Sequence, residues 1–403
     1  MRRKASTGII FITVFADLLG FGMVLPLMPL YASDPRFLAA PWQIGWLMAI
    51  YSLMQFLFAP FWGRISDRWG RRPVLIVGLF GSCISYLVYG MAGSLWLLFV
   101  ARGVAGIMGA NIAAAQAAMA DITPPEKRAQ AMGLIGAAFS LGFVLGPAMG
   151  GLLSQYGLEA APLAAAAITG LNGLAAIFFL AETKNLQTAA NSKPAPRYHP
   201  LSLQPWREAR AYPGALAVCF LMGGFITLFS AFEVTLPLWG QELMGWTMAT
   251  TGWVFAYVGV MMAISQGGLV RRLAPRVGEK RTARMGLVLV SAGLGILGLI
   301  GGWVGTLGGL ALVALGAGLV HPGFSSLVSL NTTAEKQGVM MGLFQSMSAL
   351  GRVIGPVVGG LLYEIIQGKL FIGVALGIVG IWLLLKVSAG KVRDARESAP
   401  QSE

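Results

Sequence analysis

Charged side chains are scarce in this sequence: 29 Lys+Arg and 16 Asp+Glu make up 11% of 403 residues, where soluble domains carry about 25%. Hydrophobic residues reach 56% before the 55 glycines are counted, and mean hydropathy is +0.72. So little polar surface cannot cover a water-soluble body, and so much apolar surface excludes a disordered chain. Cysteine is nearly absent. Cys83 and Cys219 lie inside apolar runs with no CxxC or Cys/His cluster, which excludes a disulfide framework and a zinc site. No Gly-x-x-x-x-Gly-Lys-Ser/Thr run is present, which argues against an ATP-driven pump. No nucleophile–base set, metal cluster or large extramembrane domain points to a membrane-embedded enzyme or a sensor. These absences leave an integral membrane protein.

What is present is long apolar runs. About 20 apolar residues cross a hydrocarbon core of roughly 30 Å, and the sequence divides into twelve such runs. The first six lie near 8–31, 44–63, 74–92, 95–118, 130–154 and 160–181. The second six lie near 212–240, 247–270, 284–303, 306–330, 338–363 and 367–387. Open strands would leave unpaired backbone groups in lipid, so the expected fold is all-α, with twelve transmembrane helices in two six-helix bundles. The opening Met-Arg-Arg-Lys resembles a signal peptide. However, the run continues past residue 30 without a small-residue cleavage site and reads as the first span. Residues 182–211 are polar, basic and rich in proline. They form a linker, with a short interfacial helix expected near Trp206. The expected bodies are 1–181 and 212–390, with 391–403 as a polar tail.

The net charge of +13 is distributed unevenly. Termini, linker and the loops on their side hold 25 Lys and Arg, while the opposite loops hold two, Arg36 and Lys369. That bias places both termini in the cytoplasm and explains the basic pI without nucleic acid. A repeat supports the two-body reading. Shifting by 209 residues lays 123–153 on 332–362 with nearly half the positions identical, including Gly142/Gly351, Gly146-Pro147/Gly355-Pro356 and Gly150-Gly151/Gly359-Gly360. A shift of six spans preserves orientation, as in transporters built from parallel repeats.

Three motifs then show a resemblance. GRISDRWGRRPVL (63–75) is similar to the Gly-x-x-x-Asp-Arg-x-Gly-Arg-Arg signature of the major facilitator superfamily. Span 5 carries Gly142-x-x-x-Gly146-Pro147-x-x-Gly150-Gly151, which resembles the element marking its antiporters. Span 1 reads DLLGFGMVLPLMP (17–29), similar to twelve-span drug–proton antiporters and bacterial tetracycline exporters. The exporters also place acids in spans 3 and 9. Here 74–92 and 284–303 hold no interior acid, which favours a lipophilic or cationic substrate over tetracycline.

Ionisable groups inside the spans are costly, about 2.5–3.5 kcal/mol each on insertion scales, so each needs a reason. Asp17, Arg102 and Glu233 lie on spans 1, 4 and 7, which line the central cavity in the family the chain resembles. Asp17 and Glu233 are the candidate proton- and substrate-coupling carboxyls and Arg102 the group that tunes them; the alternative is a fixed buried pair with Arg102. Arg352 in span 11 either serves the cavity or pairs with an acid or a backbone carbonyl. His321, before Pro322, either relays protons or is hydrogen-bonded structurally. In the signature, Gly63 and Gly70 are expected to permit a tight turn. Asp67, Arg68, Arg71 and Arg72 form a charge cluster that Asp121 can join through Arg68 or Arg71. The resemblance implies that Asp67 caps the start of span 11, near Gly338, as a cytoplasmic gate. The span 5 glycines either limit leak or simply allow close packing. Candidate uncharged lining residues are Asn111, Gln116, Phe229, Phe232, Trp253, Tyr257 and Gln345, with Gln55 and Gln266 beside them.

The resemblance thus implies a proton-coupled exporter working by alternating access. It is expected as a monomer in a bacterial-type inner membrane, driven by the proton gradient without a cofactor, with a small lipophilic substrate, protons and membrane lipid as partners. The competing reading is the same fold moving an endogenous solute such as a sugar, siderophore or lipid, by export or facilitated diffusion.

Overall fold

The computed structural model describes residues 6–109, 112–124, 127–183, 204–333 and 335–387. Among them there is no strand. Eleven helical stretches are long and apolar enough to cross a membrane, and the last, Gln337–Val387, has 51 residues. At 1.5 Å per residue that is about 76 Å, more than two crossings. It breaks at Gln367, where φ is 47°. Among the described residues the count of spans is therefore twelve, as the apolar runs require.

The first six spans are α1 (Thr7–Val24, prolonged through Leu25–Leu27 and Met28–Ala32), α2 (Pro41–Trp69), α3 (Arg71–Gly90), α4 (Leu95–Gly109, resumed at Ile112–Asp121), α5 (Arg128–Leu153) and α6 (Ala160–Phe179). A short helix, Gln204–Ala209, lies where Trp206 suggested one. The rest are α7 (Pro213–Met244), α8 (Met248–Ile264), α9 (Glu279–Leu299), α10 (Gly302–Leu330), α11 (Gln337–Ile366) and α12 (Leu370–Val387). α8 continues through a π-helical turn, Ser265–Leu269, into Val270–Val277. Residues 184–203 of the expected linker 182–211, and the tail 391–403, lie outside the described residues, as does Asn111.

By packing, the chain forms two compact units. One holds Met1–Ala40, Ile50–Arg197 and Gly240–Tyr257; the other holds Pro41–Ala49, Tyr198–Trp239 and Val258–Glu403. Glycine contacts account for the two transferred segments. A Cβ at Gly151 would stand 2.9 Å from Gly252, inside the first unit, and one at Gly360 would stand 3.0 Å from the Pro41 carbonyl carbon, inside the second. Within the first unit α1 packs on α5 and α6, and α3 on α4 and α6. Ile10, Val14, Leu18, Val74, Leu79 and Ala138 are among its core residues. In the second unit α9 packs on α10 and α12. Gly286 opposes Gly316 there and Gly293 opposes Gly309, with ideal Cβ positions 2.5–2.9 Å from the facing carbonyl oxygens. Small residues of this kind let helices approach where lipid supplies no hydrophobic drive. Buried polar groups close onto backbone: Ser85 Oγ donates to Ala101 O at 2.7 Å and Asn172 Nδ2 to Thr13 O at 2.8 Å.

The signature at 63–75 is less of a loop than its spacing suggests. α2 continues to Trp69, so Gly63, Asp67 and Arg68 are helical, and Arg71 already opens α3. At 29 residues, α2 is about 44 Å long, so its polar end extends past a hydrocarbon core of roughly 30 Å. Gly70 alone makes the turn, at φ 105° and ψ 166°, a region essentially reserved for glycine. Gly70→Ala is expected to cost about 1–3 kcal/mol, and its Cβ would also stand 2.7 Å from Glu182 Cδ. Gly63→Ala, with nothing within 4 Å, is expected to be neutral or slightly stabilising. Thermal unfolding of the two variants side by side measures the difference.

Candidate functional site

In the first unit the sequence-singled charges come together around aromatic rings. Arg102, on α4, is 2% exposed. Its Cζ lies 4.6 Å from the Tyr51 ring centroid, a cation–π contact that offsets part of the cost of burial. Tyr86 of α3 is within electrostatic reach of Asp17, Tyr51 and Arg102, so α1, α2, α3 and α4 each contribute one group to the cluster. One turn along α1 from Asp17, Phe21 packs on Tyr51 at 5.0 Å and edge-on to Phe143 at 5.9 Å. Gln55 Nε2 donates to Gly109 O at 3.0 Å and reaches the Tyr51 hydroxyl at 3.5 Å. No ion pair joins Asp17 to Arg102 among the described residues, and Arg102 Nε and Nη2 have no acceptor there. Asp17 is partly exposed and makes no hydrogen bond with them either. The fixed Asp17–Arg102 pair is therefore not what this arrangement contains.

In the second unit Glu233 of α7 is partly buried, again without a hydrogen bond or ion pair among the described residues. Arg352 of α11 lies within electrostatic reach of both Glu233 and His321. The His321 ring stands edge-on to Phe344 at 5.5 Å. Arg352 and His321 are exposed on the unit although both sit well inside their spans.

The other expected lining residues divide. Gln116, Gln345, Gln266 and Trp253 are exposed, and Tyr257 and Phe229 are partly so. Phe232 is 3% exposed and packs edge-on to Phe371 at 5.2 Å, so its ring fills the contact between α7 and α12 and offers little surface to a ligand.

At the arginine-rich end of the first unit, Arg71 is the hub. It donates to Asp67 Oδ1 at 2.8 Å, Ser66 Oγ at 2.9 Å and Asp121 Oδ2 at 3.2 Å. Arg68 is exposed and makes no hydrogen bond or ion pair among the described residues. Glu182, which the sequence reading left unused, accepts from the backbone N–H of Arg71 at 2.9 Å and of Arg72 at 3.2 Å, capping α3. Arg72 donates onward to Ile177 O at 2.7 Å. Gly338 lies in the first turn of α11, with open space around it. At the opposite end Arg36 bonds Asp34 and Glu159, and that hydrogen bond holds the Glu159 carboxyl below its usual range.

The span 5 glycines bear on α1. Ideal Cβ atoms at Gly142, Gly146 and Gly150 would meet Leu18, Gly22, Met23 and Leu27, and Gly151 and Pro147 instead face Gly252. The repeat does the same with α7: Gly351, Gly355 and Gly359 meet Thr227, Ser230 and Ala231, while Gly360 and Pro356 face Pro41 and Gly45. Each partly exposed acid thus rides on a helix held by glycine contact to its neighbour.

Comparisons with known proteins agree with this architecture. The model of the Major Facilitator Superfamily matches residues 10–356 and 268–402. The chain is 32% identical over 389 residues to a class E tetracycline resistance protein of Escherichia coli, covering 94% of this chain and 95% of that one. It is 27% identical over 382 residues to Multidrug resistance protein 2 of Bacillus subtilis (strain 168), covering 92% and 93%. The crystal structure of the human organic anion transporter MFSD10 (TETRAN) superposes with a TM-score of 0.69 at 28% identity, over 94% of this chain and 98% of that one.

The chain is a multi-pass membrane transporter rather than an enzyme. It belongs to the Major Facilitator Superfamily.

Proposed function

We propose that the protein is a proton-coupled exporter of lipophilic or cationic small molecules, exchanging protons for substrate by alternating access. The observation that carries this reading is the state of its two intramembrane acids. Asp17 and Glu233 both retain some exposure, have no partner bond among the described residues, and each lie in a cluster that also holds a cation. A carboxyl in such a place can take up and release a proton, because no ion pair locks it in one charge state. A cationic substrate entering from one side favours the ionised acids; protonation from the other side displaces it. The resistance proteins among its relatives support an exported drug as the cargo. The absence of interior acids in α3 and α9 supports a lipophilic or cationic compound rather than tetracycline itself. The 25-to-2 distribution of Lys and Arg supports both termini in the cytoplasm of a bacterial-type inner membrane. The protein works as a monomer and needs no cofactor beyond the gradient.

The test is efflux of a lipophilic cationic dye from proteoliposomes carrying the purified protein. Uphill efflux is expected when a pH gradient is imposed and is expected to stop when a protonophore dissipates it. Dye movement that only equilibrates, at one rate with or without the gradient, would instead establish facilitated diffusion.

A further inference from the structure

The sequence between α8 and α9 is far richer in cations than in acids. VRRLAPRVGEKRTAR (270–284) sets six cations against the single acid Glu279. Two cations at this end of the second unit converge on one side chain. Arg284, in the second turn of α9, has its Cζ 5.1 Å from the Trp382 ring centroid, and Lys386, at the end of α12, has its Nζ 5.6 Å from the same centroid. Neither makes a hydrogen bond or ion pair among the described residues, and Arg284 Nε is buried without an acceptor. Two like charges on one ring repel each other; a shared anion would relieve this and satisfy the buried Nε as well.

The surroundings identify the kind of anion. Trp382 lies about one turn from the end of α12, at the depth where tryptophan marks the headgroup layer. Further into the membrane the same two helices expose Met285, Val288, Val379 and Leu376 at 39% or more, a surface suited to acyl chains and wasted on a soluble phosphate. We infer that the corner between α9 and α12 binds an anionic phospholipid, with its phosphate held by Arg284 and Lys386 beside Trp382. Basic pockets between membrane helices recognise such headgroups by charge and hydrogen bonding together.

Native mass spectrometry of the full-length protein in detergent, titrated with phosphatidylglycerol, tests this. The Arg284→Gln/Lys386→Gln variant is expected to bind the first lipid at least about tenfold more weakly. Lys369→Gln, in the turn before α12, is expected to leave binding unchanged, as is excess inorganic phosphate. Phosphatidylcholine is expected to bind weakly to both proteins. Should the double variant not fold, Lys386→Glu at the exposed helix end carries the same test, with the same expected weakening. First-lipid affinity equal to that of the unaltered protein overturns the assignment. So does displacement of the lipid by inorganic phosphate, which marks a soluble-anion site, and so does equal loss of phosphatidylcholine, which marks apolar contact only.

Discussion

Asp17→Asn is expected to reduce gradient-driven efflux to the rate of protein-free liposomes while leaving the thermal unfolding midpoint within a degree or two of the unaltered protein. Asparagine keeps the shape and polarity of the side chain and removes only its ability to ionise. Because Asp17 makes no ion pair or hydrogen bond among the described residues, no native contact is lost. A structural acid would behave differently: removing one member of a buried pair leaves an uncompensated charge and destabilises by about 3–5 kcal/mol. Stability and coupling therefore separate the two roles cleanly. Glu233→Gln is expected to have the same effect on uphill transport.

A second measurement sharpens this result. Exchange of labelled for unlabelled substrate, with no gradient of either, requires alternating access but no net proton movement. In Asp17→Asn that exchange is expected to persist, since the glycine contacts that position α1 against α5 are untouched. Loss of both uphill efflux and exchange would make Asp17 a binding or structural residue. Full gradient-driven efflux in the Asp17→Asn/Glu233→Gln protein would end the coupling assignment outright.

Which features the sequence revealed follows from the physics of each. Span number and the two-body repeat were legible because lipid demands long apolar runs and because Gly142-to-Gly151 recurs at Gly351-to-Gly360. The charges worth attention were legible for the converse reason: Asp17, Arg102, Glu233 and Arg352 interrupt those runs. Their neighbours were not legible. Tyr51 and Tyr86 are ordinary residues of an apolar helix until the fold sets one ring on Arg102 and brings the other within reach of Asp17. Faces are hidden too, since a helix apolar all round gives no moment that tells lipid from a neighbour; Phe232 and Trp253 look alike in sequence, yet one is 3% and the other 54% exposed. Glu182 caps α3 from more than a hundred residues away, and its position just past α6 reads only as the start of a polar linker. Gly63 shows the reverse error. Its place in a signature suggested a turn, but the helix runs straight through it and leaves the turn to Gly70.

Gly146→Val is expected to lower the thermal midpoint by many degrees or prevent recovery of folded protein, whereas Gly136→Val, ten residues earlier on the same helix, is expected to change little. Both replace one glycine of α5 with the same side chain, so helix propensity is shared and only surroundings differ. At Gly136 nothing lies within 4 Å of an added Cβ. At Gly146 that carbon would stand 2.7 Å from Gly22 Cα and C and 2.9 Å from Met23 N. These are backbone atoms, so no rotamer change relieves the overlap, and α1 must move away from α5. Overpacking a well-packed contact costs about 1–3 kcal/mol when side chains can yield, and more when they cannot. The repeat predicts a matching pair in the second unit. Gly355→Val, whose Cβ would lie 2.8 Å from Ser230 Cβ and 3.2 Å from Ala231 N, should fail as Gly146→Val does, while Gly342→Val, in open space, should be tolerated. Equal midpoints for Gly146→Val and Gly136→Val would show that the α1–α5 contact is loose in the membrane. In that case the helix that carries Asp17 would be held by something other than these glycines.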